Sequence, residues 1–149
     1  MGHDASIDIQ GRPTPGNSPR KIIEALIEDG WSPHRDDSPT IHFIPLGDKE
    51  AFDWQACPAS EWPKVLEILD AKTAASEIVA IVLVRKDALH GGTFLIDTKL
   101  TISFVPDGNR RELPGKYRPT DFSWYIARMV PALERSGYQI ETIACSEHW

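Results

Sequence analysis

The stretch Ile78-Val79-Ala80-Ile81-Val82-Leu83-Val84 decides the fold of this chain. It is an unbroken apolar run of seven residues, and all of them except Ala80 and Leu83 are β-branched. Such a run is typical of a strand that is covered on both faces, because alternation with polar residues is lost when neither face meets water. We therefore predict a central strand here, with the other elements arranged around it.

The residues that follow the central strand predict more sheet. Thr93–Ile96 and Leu100–Val105 are short apolar runs joined around Asp97-Thr98-Lys99, a pattern that favours an antiparallel pair. A last strand is predicted from Tyr138 to Cys145. Most strands thus follow one another through short connections, which indicates a mostly antiparallel sheet.

A hairpin is also predicted before the central strand. Residues 41–45 form its first strand, Gly47-Asp48 its turn, and residues 51–56 the returning strand. Phe52 and Trp54 would then lie on one face of the returning strand, which places both side chains in the core.

Three helices are predicted from apolar residues at helical spacing and from their end signals. Ser18 caps the first helix and Gly30 ends it. Ser60 is the expected cap of the second helix, and Thr120 that of the third. Pro131 should kink or shorten the last turn of the third helix, since proline lacks a backbone N–H.

These elements define an α+β fold in a single domain, with three helices packed on a mostly antiparallel sheet. The domain should span residues 18–149. Residues 1–17 contain several glycines and prolines and are expected to form a flexible lead-in. Ile7 and Ile9 alternate with polar neighbours, so a short edge strand within this lead-in is an alternative prediction.

Charge is distributed unevenly along the chain. Residues 24–77 hold twelve acidic and four basic side chains, a net charge of −8, whereas residues 85–118 carry a net charge of +3. The whole chain has a net charge of −6, which argues against direct binding of nucleic acid. An acidic region of this kind favours association with a basic partner.

Five acids are the predicted contacts with that partner. They lie near two predicted turns of the first half, which the intervening strand should bring close together, and they are Asp36, Asp37, Asp48, Glu50 and Asp53. Reversing all five to lysine is expected to weaken binding without unfolding the domain.

Two alternatives remain open from the sequence. One is a small hydrolase or transferase in which His90-Gly91-Gly92 forms an anion-binding nest beside the basic loop of residues 110–118. The other is a regulatory module in which Arg110 and Arg111 dock an acidic protein.

No motif in the chain indicates a catalytic residue, a cofactor or a metal site, since the five histidines and two cysteines lack the usual ligand spacings. Cys57 and Cys145 are expected to be reduced, buried thiols. No apolar run is long enough to span a membrane, and the opening residues do not resemble a secretory signal, so the expected location is the cytoplasm. The oligomeric state is left open.

Three segments resemble those of a known class of proteins. They are Asp29-Gly30-Trp31, residues 43–48 (Phe-Ile-Pro-Leu-Gly-Asp) and residues 52–55 (Phe-Asp-Trp-Gln). With the size and acidity of the chain, they resemble the immunity proteins of bacterial contact-dependent growth inhibition and related polymorphic toxin systems. The resemblance implies a partner, the toxic C-terminal domain of a larger secreted protein, often a nuclease with a basic cleft. No residue is carried over from the family as a contact.

Overall fold

The computed structural model describes residues 3–12 and 14–149. Its elements, in chain order, are β1 (Asp4–Arg12), α1 (Pro19–Glu28), β2 (Trp31–Ser32), β3 (Thr40–Phe43), β4 (Gln55–Pro58), a 3₁₀ turn (Ala59–Glu61), α2 (Trp62–Ala74), β5 (Val79–Arg85), β6 (Gly91–Ile96), β7 (Ile102–Pro106), α3 (Phe122–Arg135) and β8 (Gln139–His148). Helices and strands together form an α+β domain, as the sequence predicts.

The strands form one sheet in the order β4-β3-β5-β6-β7-β1-β8, with β2 pairing the end of β5. All of the recorded pairings are antiparallel. The apolar run β5 contacts β2, β3 and β6, which confirms its predicted central place.

A single core lies between one face of this sheet and the three helices. Buried side chains of α1, α2 and α3 pack against alternate residues of the strands, such as Ile7, Ile81 and Phe104. Trp31 is fully buried at the centre, edge-on to Phe94, and its indole N–H donates to the backbone oxygen of Arg128 at 2.8 Å. This hydrogen bond links β2 to α3.

The flexible lead-in expected for residues 1–17 is wrong over residues 4–12. These residues form β1, which is an interior strand and not an edge, because it pairs with β7 on one side and β8 on the other. Ile7 and Ile9 are fully buried. Burial of this alternating pair outweighs the glycine and proline content that suggested a loop. Met1, Gly2 and Pro13 lie outside the described residues.

Two helix starts differ from prediction. Ser60 lies in the 3₁₀ turn, and α2 begins at Trp62 without a side-chain cap. The N-cap of α3 is Asp121, whose carboxylate accepts the Trp124 N–H, while Thr120 bonds elsewhere. The third helix also continues past Pro131 to Arg135, so the proline does not end it.

Among the described residues, no helix is both long and apolar enough to cross a membrane.

Candidate functional site

The connection between β3 and β4, residues 44–54, is an irregular loop and not the tight hairpin predicted from Gly47-Asp48. The returning strand begins only at Gln55, so residues 51–54 lie outside the sheet. Hereafter this segment is called the 44–54 loop.

A buried lysine holds the beginning of the 44–54 loop. Lys72 of α2 has a side chain that is 1% exposed, and its ammonium donates to the backbone oxygen of Pro45 at 2.8 Å. The same ammonium contacts the Glu77 carboxylate at 3.3 Å, and that carboxylate accepts the Gly47 N–H at 2.9 Å. Because charge-assisted bonds are stronger than neutral ones, this chain of contacts fixes the loop to the end of α2.

The tip of the loop is fixed by its own acid. The Asp48 carboxylate accepts the backbone N–H groups of Phe52 at 2.7 Å and Asp53 at 2.9 Å. Lys49, Glu50 and Phe52 have positive φ angles of 53°, 62° and 56°. Such conformations cost about 1–3 kcal/mol each in residues other than glycine, and they persist only where surrounding contacts impose them.

This conformation leaves large apolar side chains in solvent. Leu46 is 50% exposed, Phe52 46% and Trp54 41%. The prediction that Phe52 and Trp54 belong to the core is therefore wrong, because the alternating pattern predicts a strand where the backbone is a loop. A group of exposed aromatic and apolar side chains on one loop is typical of protein-binding surfaces.

Acids surround these apolar side chains. Glu50 and Asp53 are exposed, and Asp48 is half-buried. A pocket of about 160 Å³ lies under the loop, and its lining combines Ile44 and Ile78 with carboxylates and with Lys49 and Lys72.

The five predicted acids lie at the two ends of β3. Asp36 and Asp37 are exposed in the turn before β3, whereas Asp48, Glu50 and Asp53 follow its other end. The four residues of β3 separate the groups by about 10 Å along the strand, at roughly 3.3 Å per residue. The strand therefore divides the acids into two groups.

Few of these acids are neutralised within the chain. Asp37 contacts Arg35 at 3.2 Å. The other four form no salt bridge among the described residues, although several acids of the same half do, namely Glu24, Asp29, Glu61, Asp70 and Glu77. Among the described acids of residues 24–77, those without a salt bridge are Asp48, Glu50 and Asp53 on the 44–54 loop, where Lys49 is also unpaired, and Glu28, Asp36 and Glu67 elsewhere.

The basic segment of residues 110–118 is, in contrast, largely matched. Arg110 and Arg118 both contact Glu112, at 3.1 and 3.6 Å, and Arg111 contacts Asp121 at 3.3 Å. Burial opposes ionisation of Asp121, but bonds from Ser123, Trp124 and Arg111 outweigh it and lower the pKa of this carboxyl. The arginines therefore offer less free charge than their number suggests.

The glycines of His90-Gly91-Gly92 do not form an anion-binding nest. Gly91 and Gly92 are buried residues of β6 and pair with β5, and a Cβ on Gly92 would collide with the Val105 carbonyl oxygen. A His90 ring nitrogen lies 2.8 Å from the Asn109 backbone oxygen. The glycines therefore serve close strand packing.

The cysteines differ in their surroundings. Cys57 is half-buried in β4, and burial raises the pKa of its thiol, which makes it a poorer nucleophile at neutral pH. Cys145 is exposed on β8, contrary to the expected burial. Among the described residues, no three or more histidine, cysteine or acidic side chains are arranged to hold a metal ion.

Glu147 forms a cluster that the sequence gives no signal for. Its carboxylate is 7% exposed, accepts the Thr120 N–H at 3.0 Å and hydroxyl at 2.6 Å, and lies 2.7 Å from the His3 ring. Burial opposes ionisation, but the bonds from Thr120 and His3 outweigh it and lower the pKa of Glu147. This cluster fixes β8 to the start of α3.

Replacing Glu147 with glutamine should therefore destabilise the fold at pH 7 by about 1–2 kcal/mol. Because the pKa is lower in the folded state, the ionised carboxylate stabilises the fold above the ordinary glutamate pKa of about 4.3, and this contribution is lost as the pH falls through the folded value. Urea unfolding should show a larger difference between the two proteins at pH 7 than at pH 3. The control for this variant is Glu141→Gln on the same strand, where the carboxylate is 51% exposed and should contribute little to stability.

Equal stability of wild type and Glu147→Gln at pH 7 would contradict the prediction.

Comparisons with known proteins identify no relative of this chain. The chain matches no protein-family model, and neither the curated proteins nor the solved structures contain a significant match.

Proposed function

We propose that this chain is a binding protein that neutralises a basic toxin domain, and that the 44–54 loop is its contact surface. The observation that carries the proposal is the set of side chains presented there: Leu46, Phe52 and Trp54 are exposed beside the unpaired acids Glu50 and Asp53. Apolar side chains supply affinity once water is excluded, and the acids select a basic partner.

The bonds to the backbone of the loop support this role. Lys72, Glu77 and Asp48 bind backbone atoms of Pro45, Gly47 and Phe52, and so hold the loop backbone before any partner arrives. A preformed surface loses less conformational freedom on binding than a mobile loop, which favours tight association.

The toxin in this proposal is a nuclease domain, and the chain is an immunity protein of the contact-dependent inhibition type. A nuclease must hold phosphates with basic side chains, and such a surface complements the acidic loop. The size, acidity and loop sequence of the chain support this assignment.

Charge reversal should separate the two acidic groups. Glu50→Lys with Asp53→Lys should slow association by about tenfold or more at low salt, because steering by opposite charges sets the rate of encounter. The matched control is Asp36→Lys with Asp37→Lys, which makes the same change of charge at the far end of β3 and should have a smaller effect. Stopped-flow association at low and moderate salt measures both, and equal effects of the two variants would contradict assignment to the loop.

The function itself is tested with the partner isolated. Immobilised chain is used to capture proteins from its native host, and a captured domain is assayed for nuclease activity with and without added chain. A one-to-one complex that abolishes the activity is the expected result. No stable complex, or a complex that leaves the captured domain fully active, would overturn the proposal.

A further inference from the structure

The strand β8 is an unprotected edge of the sheet. It is ten residues long and, within residues 3–12 and 14–149, pairs with β1 alone. The opposite edge, β4, has four residues and ends in Pro58, which has no N–H to offer. Proteins usually shorten, charge or interrupt their edge strands, because a free edge pairs with other chains.

Most of β8 is straight and regular. Its register with β1 is continuous from Thr142 to His148. The register shifts just before Thr142, so that Glu141 has no partner in β1. Residues 142–148 (Thr-Ile-Ala-Cys-Ser-Glu-His) contain no proline, lysine or arginine that would interrupt pairing. Their outer N–H and C=O groups have no backbone partner among the described residues.

The charges of this segment do not oppose self-association, despite the net charge of −6. The Glu147 carboxylate is buried against Thr120 and His3. The His148 ring lies 3.0 Å from the Ser146 hydroxyl. No unmatched carboxylate therefore faces the free edge between Thr142 and His148.

We propose that residues 142–148 of two copies of this chain pair antiparallel about a two-fold axis at Cys145, joining the two sheets into one. Full overlap of the seven residues sets Thr142 opposite His148, Ile143 opposite Glu147 and Ala144 opposite Ser146. No like charges are opposed in this register. A two-fold contact of this kind closes on itself and produces a dimer.

A second copy fits this edge better than a disordered peptide. The strand that it offers is already ordered within its own sheet, so pairing does not require a chain to lose its backbone freedom. Ile143, which is 39% exposed, and the exposed Cys145 also gain apolar cover on the helix side of the sheet. This surface is distinct from the 44–54 loop, and the inference does not depend on the proposed function.

The first test is the oligomeric state under reducing conditions. Sedimentation equilibrium over a series of concentrations should show wild type and Cys145→Ser as dimers. Cys145→Lys sets two ammonium groups directly opposite each other and should raise the dimer dissociation constant at least about tenfold. Circular dichroism should be alike for the two variants, since Cys145 is exposed, whereas urea unfolding should depend on protein concentration for the dimer.

The second test reads the register. In Cys57→Ser, where Cys145 is the remaining thiol, diamide should convert the dimer to a disulfide-linked pair: the reagent accepts two electrons and two protons from the two thiols. A wild type that stays monomeric at every concentration would overturn the proposal. So would a dimer that Cys145→Lys leaves intact, or one that diamide does not link.

Discussion

Replacing Phe52 and Trp54 together with alanine should weaken binding of the proposed toxin partner by about a thousandfold while the fold is retained. Buried aromatic anchors contribute about 2 kcal/mol each to a typical interface, and a tenfold change in affinity corresponds to about 1.4 kcal/mol. Both side chains are roughly half exposed in the free chain, so their removal takes little from the core. Calorimetric titration of the captured domain measures the loss, and circular dichroism checks the fold.

The matched control for this pair is Leu113→Ala with Tyr117→Ala. These side chains are 44% and 64% exposed and lie in the basic segment, away from the 44–54 loop. The control should bind as the wild type does. If the two double variants bind equally well, the 44–54 loop is not the contact surface.

Replacing Lys72 with methionine should lower the free energy of unfolding by about 2–3 kcal/mol. Methionine fills the space of the lysine stem, but the backbone oxygen of Pro45 loses its donor and the Glu77 carboxylate loses its cation. Urea unfolding measures the loss. Hydrogen exchange should show faster exchange at the amides that the loop protects, those of Gly47, Phe52 and Asp53.

Lys64→Met is the control within the same helix. Lys64 is 74% exposed and contacts Glu61 at 3.4 Å, an arrangement that contributes little to stability. We expect a change within about 0.5 kcal/mol for this variant. Unchanged stability and unchanged exchange in Lys72→Met would show that the loop does not depend on the buried ammonium.

The two variants of the loop also differ in how they should affect binding. The aromatic double variant removes contacts, whereas Lys72→Met removes the order that holds those contacts in position. Lys72→Met should therefore bind the proposed partner more weakly than the wild type does, although its aromatic side chains are intact. The loss comes from the conformational entropy that the loop must give up on binding.

The parts of the fold that local chemistry determines could be predicted from the sequence. The helix beginning after Ser18 has its predicted cap, since the Ser18 hydroxyl accepts the Lys21 N–H. The central strand β5 and the antiparallel pair β6–β7 also lie where apolar runs and turns place them. The cap joins residues three positions apart, and the pairs β5–β6 and β6–β7 join strands that follow one another in the sequence.

Elements that depend on distant partners could not be predicted in this way. Strand β1 has only Ile7 and Ile9 as a signal, and its order comes from β7 and β8, which are about a hundred residues away or more. The start of α3 was placed one residue early because Thr120 bonds Glu147 and leaves the cap to Asp121.

The sequence predicts which acids are candidate contacts, but not the backbone that presents them. Some acids of the first half form salt bridges and others do not, and β3 divides the five candidates into two groups. The exposure of Phe52 and Trp54 depends on left-handed backbone at Lys49, Glu50 and Phe52. Sequence patterns do not signal that conformation in residues other than glycine, and here distant side chains impose it.

The interior position of β1 has a consequence for biosynthesis. Its partners are residues 102–104 and 139–148, so a growing chain leaves the ribosome with Ile7 and Ile9 uncovered until those residues have been translated. Contacts between distant segments, such as that of His3 with Glu147, close a loop of 144 positions, and loops of that size form slowly. The nascent chain therefore carries a strand-forming apolar segment without its partners until β8 has left the ribosome.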